Sequence, residues 1–301
     1  MSASDYADKL SREAKHWGDR LAVERVQRNA WLDHPLINRH YHERGLIDGL
    51  SWERWVVRQL GRPAARSFEL GCGSAGRSLR LYDLQITRAI QGLDVSPDRV
   101  NEGEHERRRR QAEGGFLVAD VNTVSLPADT YDLIFSCHSF HHFEALEHVM
   151  DQVNRALTPD GYFVLEEFVG PTQFQWTDAQ IGLVRQLSGL LPERMRMLRW
   201  GAVKTHEGRP TVADVVAVSP FESIRSGEIV DLFYEHFNVE EVRLQGGTLQ
   251  HLLYNGIIHN FVDNDEEADD YLRAIWQVED ALVDAGLIPS DFQLLVGRKK
   301  T

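Results

Sequence analysis

The chain is poor in cysteine, in basic residues and in uninterrupted apolar sequence. Only Cys72 and Cys137 occur among 301 residues, too few for a disulfide framework. No apolar stretch approaches the ~20 residues that a membrane-spanning helix needs. The N-terminus shows no charged-then-apolar leader, so a soluble, cytoplasmic protein is expected. Lys and Arg total 33 against 46 Asp and Glu, a formal net charge of −13. Nucleic-acid binders carry a basic face, so this balance argues against a tRNA, rRNA or DNA partner. The one basic run, Arg107 to Arg110, follows Glu102, Glu104 and Glu106 and reads as the solvated face of a helix. Internal repeats and low-complexity segments are also missing. What remains is an ordinary globular balance, 42% apolar and 26% charged, in a length that suits one large domain or a domain with a cap.

Residues 1–63 read as a helical cap. Tyr6, Leu10, Ala14, Trp17 and Leu21 recur at spacings of three and four, a stripe for one buried helical face. A second stretch, His34 to Leu60, is rich in rings, and Pro63 closes it. Its Trp and Leu residues are expected in the core, with Tyr41 the best exception.

From Arg66 the pattern becomes short apolar runs alternating with helices. Strands are expected at Ser67–Leu70, Ala89–Val95, Phe116–Ala119, Tyr131–Cys137 and Tyr162–Phe168, with Pro159-Asp160-Gly161 as a turn. Ser96-Pro97 is a good start for a helix. Residues 64–170 thus read as a parallel sheet with helices on both faces. After Gly170-Pro171 the alternation stops. Thr177 and Ser226 could each cap a helix in an inserted segment, 171–238, with an irregular stretch from Met195 to Pro220. Residues 239–301 carry two more strands, Val239–Leu244 and Phe292–Val296, around two helical segments.

The chemistry concentrates after the first strand. In Glu69-Leu70-Gly71-Cys72-Gly73-Ser74-Ala75-Gly76 the glycines allow a sharp turn and close approach to a ligand, at the N-terminus of a helix. That spacing also fits the dinucleotide G-x-G-x-x-G. Glu69 tips the balance, because a carboxylate there repels a pyrophosphate and attracts an ammonium or sulfonium. Asp94 ends the second strand, where it could accept bonds from both ribose hydroxyls; the alternative is a helix-capping Asp. Asp120, closing the third strand, could accept from an adenine amine with Val121 packed on the ring; the alternative is a turn Asp.

These segments, with Tyr131-Asp-Leu-Ile-Phe-Ser-Cys-His138 and Leu157-Thr-Pro-Asp-Gly-Tyr-Phe-Val-Leu165, stand in the order seen in class I S-adenosylmethionine-dependent methyltransferases. The chain resembles the bacterial small-molecule members that include the ubiquinone-biosynthesis type, over roughly Arg66 to Gly170. It departs from them at Ala75, where the family has a third glycine, and in the length of Gln245 to Ser290. The resemblance implies an α/β, doubly wound, seven-stranded sheet, mostly parallel with an antiparallel last strand, plus a helical cap. It implies S-adenosyl-L-methionine as cofactor, held by Glu69, Gly71, Cys72, Gly73, Asp94, Val95, Asp120, Val121 and Cys137.

Catalytic candidates sit at the C-terminal sheet edge, where α/β folds bind ligands. They are His138 and His141, near-neutral bases suited to a hydroxyl, and Glu167, one of the pair Glu166-Glu167. His142 reads better as structural or as shaping the cofactor site. His138-x-x-His141-His142 and His40-x-His42 have ligand-like chemistry, but no carboxylate cluster at fixed spacing accompanies them, so no metal is expected. The reading is a methyltransferase acting on a hydroxyl or amine of a small metabolite, such as a sugar or secondary-metabolite scaffold. A nicotinamide-dependent oxidoreductase and a non-catalytic S-adenosylmethionine-binding protein stay open, as does homo-oligomerisation.

Overall fold

The alternation of short apolar runs and helical stripes folds as one sheet. The computed structural model describes residues 3–19, 30–205, 208–262 and 265–300. Seven strands, β1 Ala64–Leu70, β2 Thr87–Asp94, β3 Glu113–Val118, β4 Tyr131–Cys137, β5 Leu157–Phe168, β6 Phe237–Gly246 and β7 Phe292–Lys299, lie in the order β3-β2-β1-β4-β5-β7-β6. Neighbours from β3 across to β5 are parallel, and β7 runs antiparallel between β5 and β6. This is the doubly wound sheet the resemblance implied. β4 sits at its centre and is buried through six consecutive residues, because helices cover both faces.

Helices α1 Ala3–Gly18, α2 Pro35–Arg44 and α3 Trp52–Leu60 precede the sheet, and α4 Gly76–Asp83, α5 Pro97–Arg109 and α6 Leu146–Ala156 connect its first strands. The stripe Leu146, Val149, Met150 and Val153 of α6 packs on Ile134 and Phe163 with no exposed surface. On the other face Trp52, Trp55 and Val56 of α3 pack on Leu133, Phe135 and Val164, so the tryptophans are core. Tyr41, expected as the exception, is also buried, in a cluster with Trp31 and Phe292, and its hydroxyl has no hydrogen-bond partner among the described residues. Leu21 lies outside the described residues.

Ser96 and Thr177 cap their helices, accepting from Arg99 N and Gln180 N. Ser226 does not. It opens a single 3₁₀ turn and its hydroxyl donates to the Gly170 carbonyl at 2.9 Å, so the inserted segment is tied to the end of β5. The stretch read as irregular contains a short helix, Val212–Val218, started by a reciprocal Thr211–Asp214 capping box. The Pro159-Asp160-Gly161 turn is absorbed into β5 as an irregularity in the ladder: Tyr131 pairs with Leu157, and Leu133 with Tyr162. Between β6 and β7 two helices, Gln250–Tyr254 and Glu266–Asp284, occupy the long insertion. Glu279, fully buried on the second, accepts from the backbone N–H of Gly247, Leu249 and Gln250 and pins the insertion to the sheet. Of the basic run, Arg107 pairs with Glu104, and Arg109 and Arg110 pair with Glu106. No described helix is long and apolar enough to cross a membrane.

Candidate functional site

The turn after β1 runs through left-handed backbone: φ is 66° at Gly71, 50° at Gly73 and 60° at Ala75. A Cβ on Gly71 would stand 2.6 Å from Ser139 Oγ, so only glycine fits there. Glu69 is buried, and its Oε2 accepts from Ser78 Oγ at 2.6 Å and Ser78 N at 3.2 Å, fastening β1 to α4. Burial pushes its carboxyl up to about 7, against the lowering effect of Ser78. Asp94 at the end of β2 bridges two segments: Oδ2 accepts from Gly73 N at 2.8 Å and Oδ1 from Ser96 N at 2.9 Å. Burial raises its carboxyl too, opposed by those backbone bonds. Ser96, not Asp94, caps the helix; the Asp94 contact to Ser96 N is a local i,i+2 turn bond, and Asp94 also stands on the cavity wall.

A cavity of about 340 Å³ opens over this turn at the C-terminal edge of β1, β2 and β4. All nine residues expected to hold the cofactor line it, and so do His138 and His142. Asp120 reaches it already partnered: Oδ1 accepts from Asn122 N at 2.9 Å, the bond of a turn Asp, and Oδ2 accepts from Tyr6 Oη at 2.8 Å. Tyr6 belongs to α1, which also supplies Leu10, Glu13 and Trp17 to the cavity wall. The α1 stripe is therefore only half-buried, because it roofs a cavity instead of packing on the sheet. Glu13, on the same face, escaped sequence reasoning although an acid between Leu10 and Trp17 was a visible break in the pattern. Its carboxylate accepts from Trp17 Nε1 at 2.7 Å and Ser219 Oγ at 2.8 Å.

The three histidines have different environments. His138 has φ of 53°, unusual for a side chain with Cβ, and its N–H donates to Glu166 O at 2.9 Å. Burial lowers its pKa, opposed by Glu166 and Glu167, so the imidazole is neutral at pH 7. His141, on the 3₁₀ turn Phe140–His142, does not line the cavity. Its Nδ1 sits 2.5 Å from Glu167 Oε1 and its Nε2 3.5 Å from Glu222 Oε1. Burial would lower its pKa, but Glu167 and Glu222 outweigh burial and raise it to about 10. His142 lines the cavity with Nδ1 3.1 Å from Glu13 Oε1.

Glu166 and Glu167 point to opposite faces, and neither is solvated. Glu166, which does not line the cavity, meets Arg77 Nη2 at 3.1 Å and Gln245 Nε2 at 3.4 Å, while Arg77 itself stands on the cavity wall. Glu167 Oε2 accepts from the backbone N–H of Ser139 and Phe140 at 2.9 and 2.6 Å. It does not line the cavity, and it fastens the backbone of the histidine loop to β5. Glu222, the partner of both His141 and His142, was invisible in the sequence, since it lies in the inserted segment far from either.

Residues 68–165 match the family model described as a methyltransferase domain. The chain is 26% identical over 123 residues to the demethylmenaquinone methyltransferase of Thermus thermophilus, covering 40% of this chain and 56% of that one. It is 30% identical over 113 residues to the malonyl-[acyl-carrier protein] O-methyltransferase of Methylococcus capsulatus, covering 37% and 40%. The chain thus spans little more than half, or less, of the curated relatives it matches. In fold it is similar to phosphoethanolamine N-methyltransferase 2 of Haemonchus contortus, with a TM-score of 0.51 at 13% identity, over 90% of this chain and 59% of that one. Over residues 68–165 the chain is thus similar to S-adenosylmethionine-dependent methyltransferases.

Proposed function

We propose that the chain binds S-adenosyl-L-methionine in the 340 Å³ cavity and methylates a hydroxyl of a small metabolite, a sugar or secondary-metabolite scaffold. One observation supports the cofactor half: two carboxyls, buried Glu69 and part-buried Asp94, flank the glycine turn, and desolvation raises both against their N–H and O–H donors and against Arg77 and Arg99. A cationic ligand suits such acids, and a pyrophosphate does not. S-Adenosylmethionine, when bound, supplies a methyl on a sulfonium, open to in-line attack. Asp94, with two lone pairs on each oxygen, has room for ribose hydroxyls besides its backbone bonds. Val121 offers an apolar surface and Asp120 a carboxylate at the far end of the cavity. Asp120 would take an adenine amine by sharing or exchanging the Tyr6 hydroxyl.

The acceptor half rests on His138. A neutral imidazole on the cavity wall can take the proton of an attacking hydroxyl, whereas His141 at a pKa near 10 already holds one. Glu167 holds the loop that carries both. Domain roles follow: 64–170 binds the cofactor, while 1–63 and 171–238 cover it and shape the acceptor site, and 239–301 completes the sheet.

The test is methyl transfer from labelled S-adenosylmethionine to a panel of hydroxylated metabolites, with adenosylhomocysteine affinity measured by calorimetry. His138→Ala is expected to lower turnover by roughly 10²–10⁴-fold and to leave that affinity within about threefold. Binding without transfer to any acceptor would favour a non-catalytic S-adenosylmethionine-binding protein. Loss of affinity with unchanged turnover at saturation would make His138 a cofactor residue.

A further inference from the structure

Beside the cavity, two segments distant in sequence converge on one point. His141 and His142 lie consecutively on the 3₁₀ turn after β4, with ring centroids 4.3 Å apart. Each ring turns its Nε2 toward the same carboxylate, Glu222, at 3.5 Å for His141 and 3.9 Å for His142. These separations are too long for good hydrogen bonds. Ligand atoms on a tetrahedral Zn²⁺ stand about 3.3 Å apart, given metal–ligand bonds of ~2.0–2.2 Å. One ligand atom from each of the three residues lies within 4.8 Å of the other two, so modest side-chain movement brings them to that arrangement.

The opposite nitrogen of each ring faces a second carboxylate. Glu167 Oε1 lies 2.5 Å from His141 Nδ1, and Glu13 Oε1 lies 3.1 Å from His142 Nδ1. A carboxylate behind each imidazole raises its basicity, as outer-shell groups do around bound metals, and an ion binding at Nε2 would displace the proton there. Charge points the same way. Three carboxylates, Glu13, Glu167 and Glu222, meet two imidazoles, so even with both rings protonated a negative charge is left over. The side chains of His141, His142 and Glu222 keep 12%, 12% and 19% of their surface exposed, which leaves room for an ion to enter.

We propose that His141 Nε2, His142 Nε2 and a Glu222 oxygen form a three-ligand site for a divalent transition-metal ion of the class that favours imidazole with carboxylate, such as Zn²⁺ or Co²⁺. His142, one of the three ligands, lines the cavity, so the ion would stand beside the space an acceptor occupies. An acceptor hydroxyl bound there would lose its proton more readily, because a divalent cation stabilises the oxyanion. That catalytic role rests on the methyl-transfer reading; ion binding does not.

The test uses the full chain, stripped with a chelator and desalted, in equilibrium dialysis against Co²⁺ with visible absorption as the coordination readout and Zn²⁺ as competitor. One Co²⁺ per chain is expected, displaced by Zn²⁺. Glu222→Gln and His142→Ala should each weaken binding by at least about 100-fold. Glu167→Gln, which keeps the ligands but loosens His141, should weaken it by roughly 10–100-fold. His42→Ala should leave it unchanged. Adenosylhomocysteine affinity and the thermal midpoint, measured on each variant, report whether it is folded. No Co²⁺ binding by the native chain overturns the proposal, and so does binding that survives Glu222→Gln in a folded protein. Co²⁺ bound by a chain that fails to bind adenosylhomocysteine would instead sink the cofactor reading and leave the metal site standing.

Discussion

Two groups of carboxylates stand at the same sheet edge under opposite electrostatic regimes. At the glycine turn Glu69 and Asp94 are raised by burial, and their bonds to Ser78, Ser96 and Gly73 only partly oppose it. At the histidine loop burial pushes Glu13, Glu167 and Glu222 up as well, but neighbouring imidazoles more than offset it and hold all three below the usual range, Glu222 at about 2. At the loop the imidazoles outweigh burial; at the turn Ser78, the backbone N–H groups, Arg77 and Arg99 do not. A cationic donor therefore has most to gain at the turn, and a hydroxyl acceptor or a metal ion at the loop. The two groups also differ in how they are wired. Glu69 and Ser78 are 9 residues apart and Gly73 and Asp94 are 21, whereas Glu13 reaches Ser219 across 206.

Asp94→Ala tests the turn hardest. The substitution removes two charge-assisted bonds from backbone N–H groups and any bond to ribose, each worth about 1.5–3 kcal/mol. Adenosylhomocysteine affinity should fall by at least about 100-fold. Calorimetry decides it, and native-like affinity in the variant would break the assignment of the cavity.

Glu69→Gln sharpens the contrast through pH. In the native chain the folded carboxyl keeps its proton to about pH 7, while the unfolded one releases it near 4.5. Folding therefore binds a proton between those values. Glu69's contribution is complete below pH 4.5 and is lost as pH rises through 7, on the order of 3 kcal/mol across the window. Glutamine accepts from Ser78 and does not ionise, so the variant should gain stability relative to the native chain between pH 5 and pH 8. Its affinity for cationic S-adenosylmethionine should drop more than its affinity for neutral-sulfur adenosylhomocysteine. Urea unfolding at the two pH values checks the first part; a stability difference that does not move with pH would show that Glu69 is ionised in the fold.

The same contrast explains what could be read from the sequence. Glu69, Gly71, Gly73, Asp94 and Asp120 sit at strand ends within one run of alternating elements, so residue type and spacing identify them together. The seven strands were legible for the same reason, down to both ends of β4. Glu222 was not, because nothing in its neighbourhood distinguishes it and its histidine partners come from the 3₁₀ turn after β4. Glu13 was hidden by a stripe that looked like core, since periodicity shows that a helix has a covered face but not whether sheet or cavity covers it. The Thr211–Asp214 box was overlooked, and Ser226 was read as a cap although its hydroxyl serves the Gly170 carbonyl; residue type alone cannot tell these uses apart.

Ala75→Gly probes the finest of these readings, the departure from the family's third glycine. Left-handed backbone costs a residue with Cβ about 1–2 kcal/mol, and Ala75 has φ of 60°. Glycine removes that strain but costs ~0.5–1 kcal/mol in chain entropy. It also gives up a methyl that is fully buried against Gly103, about 0.8 kcal/mol. The opposing effects nearly cancel, so stability should change by less than about 0.5 kcal/mol and adenosylhomocysteine affinity by less than about twofold. Urea unfolding and calorimetry on one variant measure both. A gain well above 1 kcal/mol would mean that the methyl contributes little and that alanine holds the turn under strain. A loss of that size would mean that packing of the methyl against Gly103, more than backbone freedom, sets how α4 meets α5 beneath the cavity.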